Sequence, residues 1–238
     1  MRRRTWNALR LFGLLQWRFH FVQVYLAIAA LTVLALRLAL PAGWGEWLIP
    51  VFLVAEPGML GLTLVAAHAY LERSEGSVTA LAVTPLGGGE HVLALVVASA
   101  GVATLAGALV WAGILGVDGR LIGLLPPLFL TAALSGFLGL GLSTCFSELT
   151  RFLLGALIPA VGLLSLPLAS YFEVAPRAAF VWVPTDAALF AFANLTRAHP
   201  DAARALGYTA LLCVYTALAF AWARQAFEQR VRQRLERA

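Results

Sequence analysis

Long apolar runs alternate along this chain with short polar clusters, and the runs are about as long as a bilayer is thick. A helix needs roughly 20 mostly apolar residues, rising about 1.5 Å each, to cross a hydrocarbon core of about 30 Å. Six runs meet that length, at 21–40, 48–71, 91–116, 121–146, 152–172 and 205–224. The pattern predicts an all-α, polytopic integral membrane protein with six transmembrane helices. The stretch 173–200 is too polar to span and is broken by Pro176 and Pro184. Within it, 187–195 reads as a short apolar helix, which fits an interfacial or re-entrant segment.

Residues 7–20 have a different rhythm. Leu11, Phe12, Leu15 and Phe19 form a narrow apolar stripe, while Asn7, Arg10, Gly13, Gln16 and Arg18 face the other way. That pattern predicts an interfacial helix over 1–20, with Trp6 and Trp17 at headgroup level. The alternative is a solvated basic leader that only fixes topology. The charged run 225–238 continues the last span as a cytoplasmic tail. No internal repeat and no separate soluble domain is evident, so 1–238 reads as one transmembrane domain.

Composition agrees. The 238 residues are 61% hydrophobic and 12% charged, with a mean hydropathy of +0.84. A soluble domain carries roughly 25% charged residues, so this chain could not cover its own surface in water. The net charge of +5 would raise the question of nucleic acid, but its placement argues otherwise. All seventeen basic residues are arginine, and ten of them crowd at the two ends. Terminal arginine beside apolar spans is the positive-inside signal. With both termini in the cytoplasm, Arg73 and Arg151 join those ten, against Arg37, Arg120, Arg177, Arg197 and Arg204 outside. Twelve against five favours this topology, with a cytoplasmic (inner) membrane location expected, and argues against nucleic-acid binding. Cys145 and Cys213 lie within apolar runs and read as small core residues. The basic opening is not followed by the uninterrupted apolar core of a cleavable signal peptide.

Motifs of known chemistry are missing from the sequence. A phosphate-binding loop needs a lysine, and the chain has none. His-Glu-x-x-His, Cys-x-x-Cys and Gly-x-Ser-x-Gly are absent, and His20, His68, His91 and His199 are scattered without metal-ligand spacing. Gly136-x-x-Gly139, and Gly107 with Ala103, promise close helix approach.

The most informative segment follows the second span: Leu71-Glu72-Arg73-Ser74-Glu75-Gly76-Ser77-Val78-Thr79-Ala80-Leu81-Ala82-Val83-Thr84-Pro85-Leu86. It is a charged exit from the membrane, a glycine, and a stretch of helix length stopped by Thr84-Pro85 and Gly87-Gly88-Gly89. A short helix held along the inner surface between two spans can serve as a lever, since a soluble partner gripping it moves both spans. The plain alternative is a cytoplasmic turn whose charges mark the membrane edge.

This string resembles the signature of type 2 ABC transporter permeases, and within them the fluoroquinolone-export-type permease subunits. Leu15-Gln16-Trp17-Arg18, Glu56-Pro57-Gly58-Met59-Leu60-Gly61, Ser147-Glu148-Leu149-Thr150-Arg151 and Val183-Pro184-Thr185-Asp186 agree in layout. The resemblance implies a permease subunit of an ATP-driven exporter that moves a lipophilic small molecule, drug or lipid. It implies a coupling helix within about 72–90, with Glu72, Arg73, Glu75, Gly76, Val78, Leu81, Thr84 and Pro85 against the ATPase. The implied partners are separate ABC ATPase subunits, a second permease copy or a related permease, and membrane lipid. ATP and Mg would belong to the ATPase subunits, so this chain would hold no cofactor, no metal and no catalytic residue of its own. A haem-export-type permease, a membrane-embedded enzyme and a non-transporting assembly protein are the alternatives.

A second polar feature lies inside the membrane. Glu56 sits about eight residues into the second span, followed by Pro57. A carboxylate at that depth costs on the order of 2.5–3.5 kcal/mol, so it should face protein or water. Two readings stay open. Arg37 could reach Glu56 and form a structural ion pair, or Glu56 and Pro57 could line a translocation path for a cationic or drug-like molecule.

Overall fold

The structure is a computed structural model and describes residues 2–39, 44–75, 87–197 and 199–235. Its elements are α1 (Arg2–Arg18), α2 (Phe21–Ala39), α3 (Gly45–Ser74), α4 (Gly88–Leu115), α5 (Arg120–Ser143), α6 (Leu149–Tyr171), a 3₁₀ turn (Arg177–Ala179), α7 (Pro184–Thr196) and α8 (Ala202–Leu235). Six of them, α2 to α6 and α8, are long and apolar enough to cross a membrane. The all-helical, multi-pass architecture expected from the hydropathy pattern is therefore present among the described residues. The lever segment 76–86, with Gly76, Val78, Leu81, Thr84 and Pro85, lies outside them.

The core runs through α3, α4 and α5. In the most apolar stretch of α3 and of α4, 61% is buried, against 11% in α2 and α8. The central helices approach closely because small residues line their contacts. A methyl group on Gly61 of α3 would run into the Ala132 carbonyl of α5, and one on Gly139 of α5 into Leu62 of α3. The two backbones touch, which is the packing that small residues permit where no water drives helices together. Gly136 faces Val65 and Val96 at the same crossing, and Gly107 of α4 faces Pro57 and Leu128.

Length separates the helices. At about 1.5 Å per residue α2 is about 28 Å long and matches a hydrocarbon core, whereas α3 and α4 exceed 40 Å and α8 reaches about 50 Å. The start of α2 meets α3 some way short of its end, with Phe21 against His68 at 4.9 Å between ring centroids. Its far end meets the end of α4, where Arg37 Nε donates to the Gly113 carbonyl at 2.7 Å. The excess length of α3 and α4 therefore projects past the start of α2. At this end the two terminal helices also meet, because Phe12 of α1 and Phe227 of α8 both pack on His91. We call it the terminal end, and the opposite one the distal end.

One sequence expectation, the packed face of α1, is corrected. The packed face of α1 is Ala8, Phe12 and Gln16, while Leu11 and Phe19 stay 54% and 45% exposed. Gln16 was expected on the outward side; instead it is fully buried and its amide donates to Ser99 of α4 at 2.9 Å. A four-residue spacing puts those three side chains on one face, and a serine on α4 makes that face suitable for an amide. The 173–200 segment carries the 13-residue α7. α7 runs alongside α3, its Pro184–Thr185 start near Gly58 and Met59 and its Ala193–Arg197 end near Trp47. Its inward face is buried along Asp186, Ala187, Ala188, Leu189, Ala191 and Phe192.

Candidate functional site

At the terminal end the last turns of α3 hold both neighbouring helices. Glu72 Oε2 lies 3.1 Å from Nε2 of His91, in the first turn of α4. Arg73 donates from Nη1 to the Ser143 carbonyl at 2.8 Å and from Nη2 to the Ser143 hydroxyl at 3.1 Å, at the end of α5. Each charge suits its helix end. An acid favours the positive N-terminus of α4, and a guanidinium satisfies the orphan carbonyls at the C-terminus of α5. Tyr70 adds a third tie, its hydroxyl donating to the carbonyls of Ser143 and Phe146 at 3.2 Å each. The Arg73 guanidinium lies over the Tyr70 ring at 4.8 Å.

Aromatic rings close the cluster. His91 is buried between Phe227, stacked at 5.3 Å, and Phe12, edge-on at 5.3 Å. Helices α1, α3, α4 and α8 thus converge on one imidazole. The glycines that open α4 allow the last contact: a methyl on Gly88 would come within 3.1 Å of Glu228 Cγ, and one on Gly89 within 3.1 Å of Arg224 Cδ. Arg224 and Glu228 themselves pair at 2.8 Å on α8. This cluster stands between Glu75 and Gly87, the two points where the chain leaves α3 and enters α4 around segment 76–86. Of the residues expected to contact an ATPase, Glu72 and Arg73 are engaged within the chain, and Glu75 is exposed.

The expected Arg37–Glu56 pair is not formed. Arg37 is taken by the Gly113 carbonyl, because α2 packs along α4 and its far end reaches the end of that helix. Both carboxylate oxygens of Glu56 are buried with no hydrogen-bond partner. The next residue, Pro57, has no N–H to offer, so the Leu53 carbonyl also lacks its usual helical donor. The middle of α3 therefore presents bare acceptors.

A cluster at the distal end went unread as a site in the sequence. Asp186, 1% exposed, accepts from Arg177 at 3.0 Å, and Arg177 Nη1 donates to the Tyr208 hydroxyl at 2.7 Å. The guanidinium lies over the Phe190 ring at 3.7 Å. Burial pushes the Asp186 carboxyl above the usual carboxylate range, with Arg177 and the Ser170 hydroxyl pulling it part of the way back. The available signal was Asp186 itself, an acid in the first turn of a proline-opened helix, where it favours the helix dipole. Among the described residues no group of three or more His, Cys, Asp or Glu could hold a metal ion.

Fold and sites together define a multi-pass, all-helical membrane protein with a polar, aromatic-lined joint at its terminal end. Comparison with models of known protein families and with curated proteins finds no match to this chain.

Proposed function

We propose that the chain is the transmembrane permease subunit of an ATP-driven ABC exporter, powered by a separately encoded ATPase that docks on the terminal end from the cytoplasm. The observation that carries this reading is the joint at the base of segment 76–86. A lever is useful only if both of its stems are tied to the helices that must move. Here Glu72–His91 ties α3 to α4, and Arg73–Ser143 ties α3 to α5. Force applied to 76–86 would pass into three core helices and, through Phe12 and Phe227, into both terminal helices. The Leu71–Leu86 string, similar to the type 2 permease signature, supplies the partner class. The arginine excess at the two ends supplies the orientation.

Glu56 takes the other half of the function. With Arg37 committed elsewhere, its unpartnered carboxylate in mid-bilayer suits a translocation path that admits a lipophilic molecule bearing positive charge. The membrane-embedded enzyme is less well supported, since Arg37 and Glu56, two of the polar groups it would need, do not converge.

The test is co-purification. Expressed with the ATPase encoded beside it, the chain should retain that subunit in detergent and stimulate its hydrolysis. Replacement of Gly76 by Leu should leave hydrolysis running and abolish transport into inverted vesicles. A chain that binds no ATPase, or a Gly76→Leu variant that transports normally, refutes the assignment.

A further inference from the structure

The distal end holds a cavity that the transport reading does not use. It measures about 310 Å³, within the range of about 300–1,000 Å³ typical of small-molecule sites. Three elements enclose it: the start of α3 with Trp47, the end of α6 with Ser170, Tyr171 and Glu173, and α7 with Phe190, Thr196 and Arg197.

Its chemistry is selective. Trp47, Tyr171 and Phe190 supply three rings, whose faces attract a cation and repel an anion. Glu173 adds a negative charge to that side, and Arg197 supplies one positive charge. Among the described lining residues, one carboxylate and one guanidinium therefore accompany the three aromatic residues.

The walls are also held in place. The Tyr171 hydroxyl donates to the Trp47 carbonyl at 2.9 Å, which ties the end of α6 to the start of α3. Tyr171 meets Phe190 edge-on at 6.2 Å. Phe190 is backed by Arg177, which Asp186 and Tyr208 anchor and which takes no part in lining the cavity. Glu173 is set by the way α6 ends. It occupies the left-handed position after the helix, with φ of 59°, while Val174 N–H bonds back to the Ala169 carbonyl at 2.8 Å. That is the close usually made with glycine, so a carboxylate stands at a position where a smaller residue would be less strained. Interfacial tryptophan and tyrosine alone would make an aromatic belt. A belt needs neither a cavity between its rings nor opposite charges on the rim.

We propose that this cavity binds a zwitterion carrying an ammonium and an anionic group, the ammonium against Trp47, Tyr171 and Glu173 and the anion against Arg197. Two sources share that chemistry, an aminophospholipid headgroup and a free amino-alcohol phosphate.

Native mass spectrometry of the full chain, purified in detergent and stripped of lipid, tests the assignment without any ATPase. The outcome is therefore independent of the exporter reading. Titration with phosphatidylethanolamine, phosphatidylcholine and phosphatidylglycerol of matched acyl chains should show the two zwitterionic lipids binding about tenfold more tightly than the anionic one. Glu173→Gln and Trp47→Leu should each remove most of that preference while leaving phosphatidylglycerol binding unchanged. Both positions are exposed, so the variants should keep the parent's melting temperature. Phosphoethanolamine or phosphocholine binding as well as the lipids would assign the ligand to water, and binding by the lipids alone would assign it to the bilayer; either supports the site. Equal binding of all three lipids, or a preference untouched by both substitutions, overturns it.

Discussion

The two ends of the bundle are both closed by an acid–base pair set among aromatic rings, yet they are built for different duties. At the distal end Asp186, Arg177 and Tyr208 come from one stretch of chain, 177–208, and the pair joins an always-charged guanidinium to a buried carboxylate. At the terminal end Glu72, His91, Phe12 and Phe227 come from four helices spread along nearly the whole sequence. Its base is an imidazole held between two phenylalanine rings. A local lock fixes one corner. A joint assembled from distant helices instead makes those helices report on one another, which suits the end where the proposed ATPase would dock.

Substitutions can break this contrast, beginning with the most damaging. Asp186→Ala leaves the Arg177 guanidinium half-buried without its counter-charge. It should cost about 2–3 kcal/mol, less than for a fully buried pair because Arg177 keeps some solvent. The measurement is thermal unfolding in detergent. Asp186→Asn, which can still accept from Arg177, should recover most of that loss. His91→Ala should cost about 1–2 kcal/mol in stacking and packing, but its larger effect should fall on ATPase coupling in the reconstituted complex. If it changes only stability, the terminal joint is no different in kind from the distal lock. Ser99→Ala strands the Gln16 amide and should loosen α1 by about 1 kcal/mol, read as faster proteolysis of the N-terminal helix.

The mildest test is pH. The folded-state value of Asp186 is raised, so the native protein holds that proton more tightly than the unfolded chain does. Its contribution to stability is therefore full below the ordinary aspartate value of about 3.9, and is lost as pH rises through the higher folded-state value. Asp186→Asn should flatten that part of the melting-temperature profile. An unchanged slope would mean that another group titrates there.

How much of this was legible beforehand depended on the force involved. The six spans were readable because crossing a hydrocarbon core demands a length and a composition that any sequence must display. The face of α1 was misjudged because hydropathy treats Gln16 as an outward residue, whereas a single serine on α4 gives its amide a buried acceptor. An Arg37–Glu56 pair, one of two readings open in the sequence, does not form because α2 lies chiefly along α4, which brings a carbonyl to Arg37 first. The Arg177–Asp186 lock depends on a chain reversal between Pro176 and Pro184 that no periodicity announces. The stems of the lever could be placed, while 76–86 itself falls outside the described residues.

The glycine contacts between α3 and α5 carry a mechanical consequence. Where Gly61 abuts Ala132 and Gly139 abuts Leu62, no side chains intervene to act as cushions. Neither rod can slip a turn past its mate without its atoms colliding, so the two must travel as a single girder. Any rocking that opens a passage through the lipid has to swing the loosely held rods around that girder. Spin labels fixed along the girder should keep their spacing through every step of the proposed transport cycle.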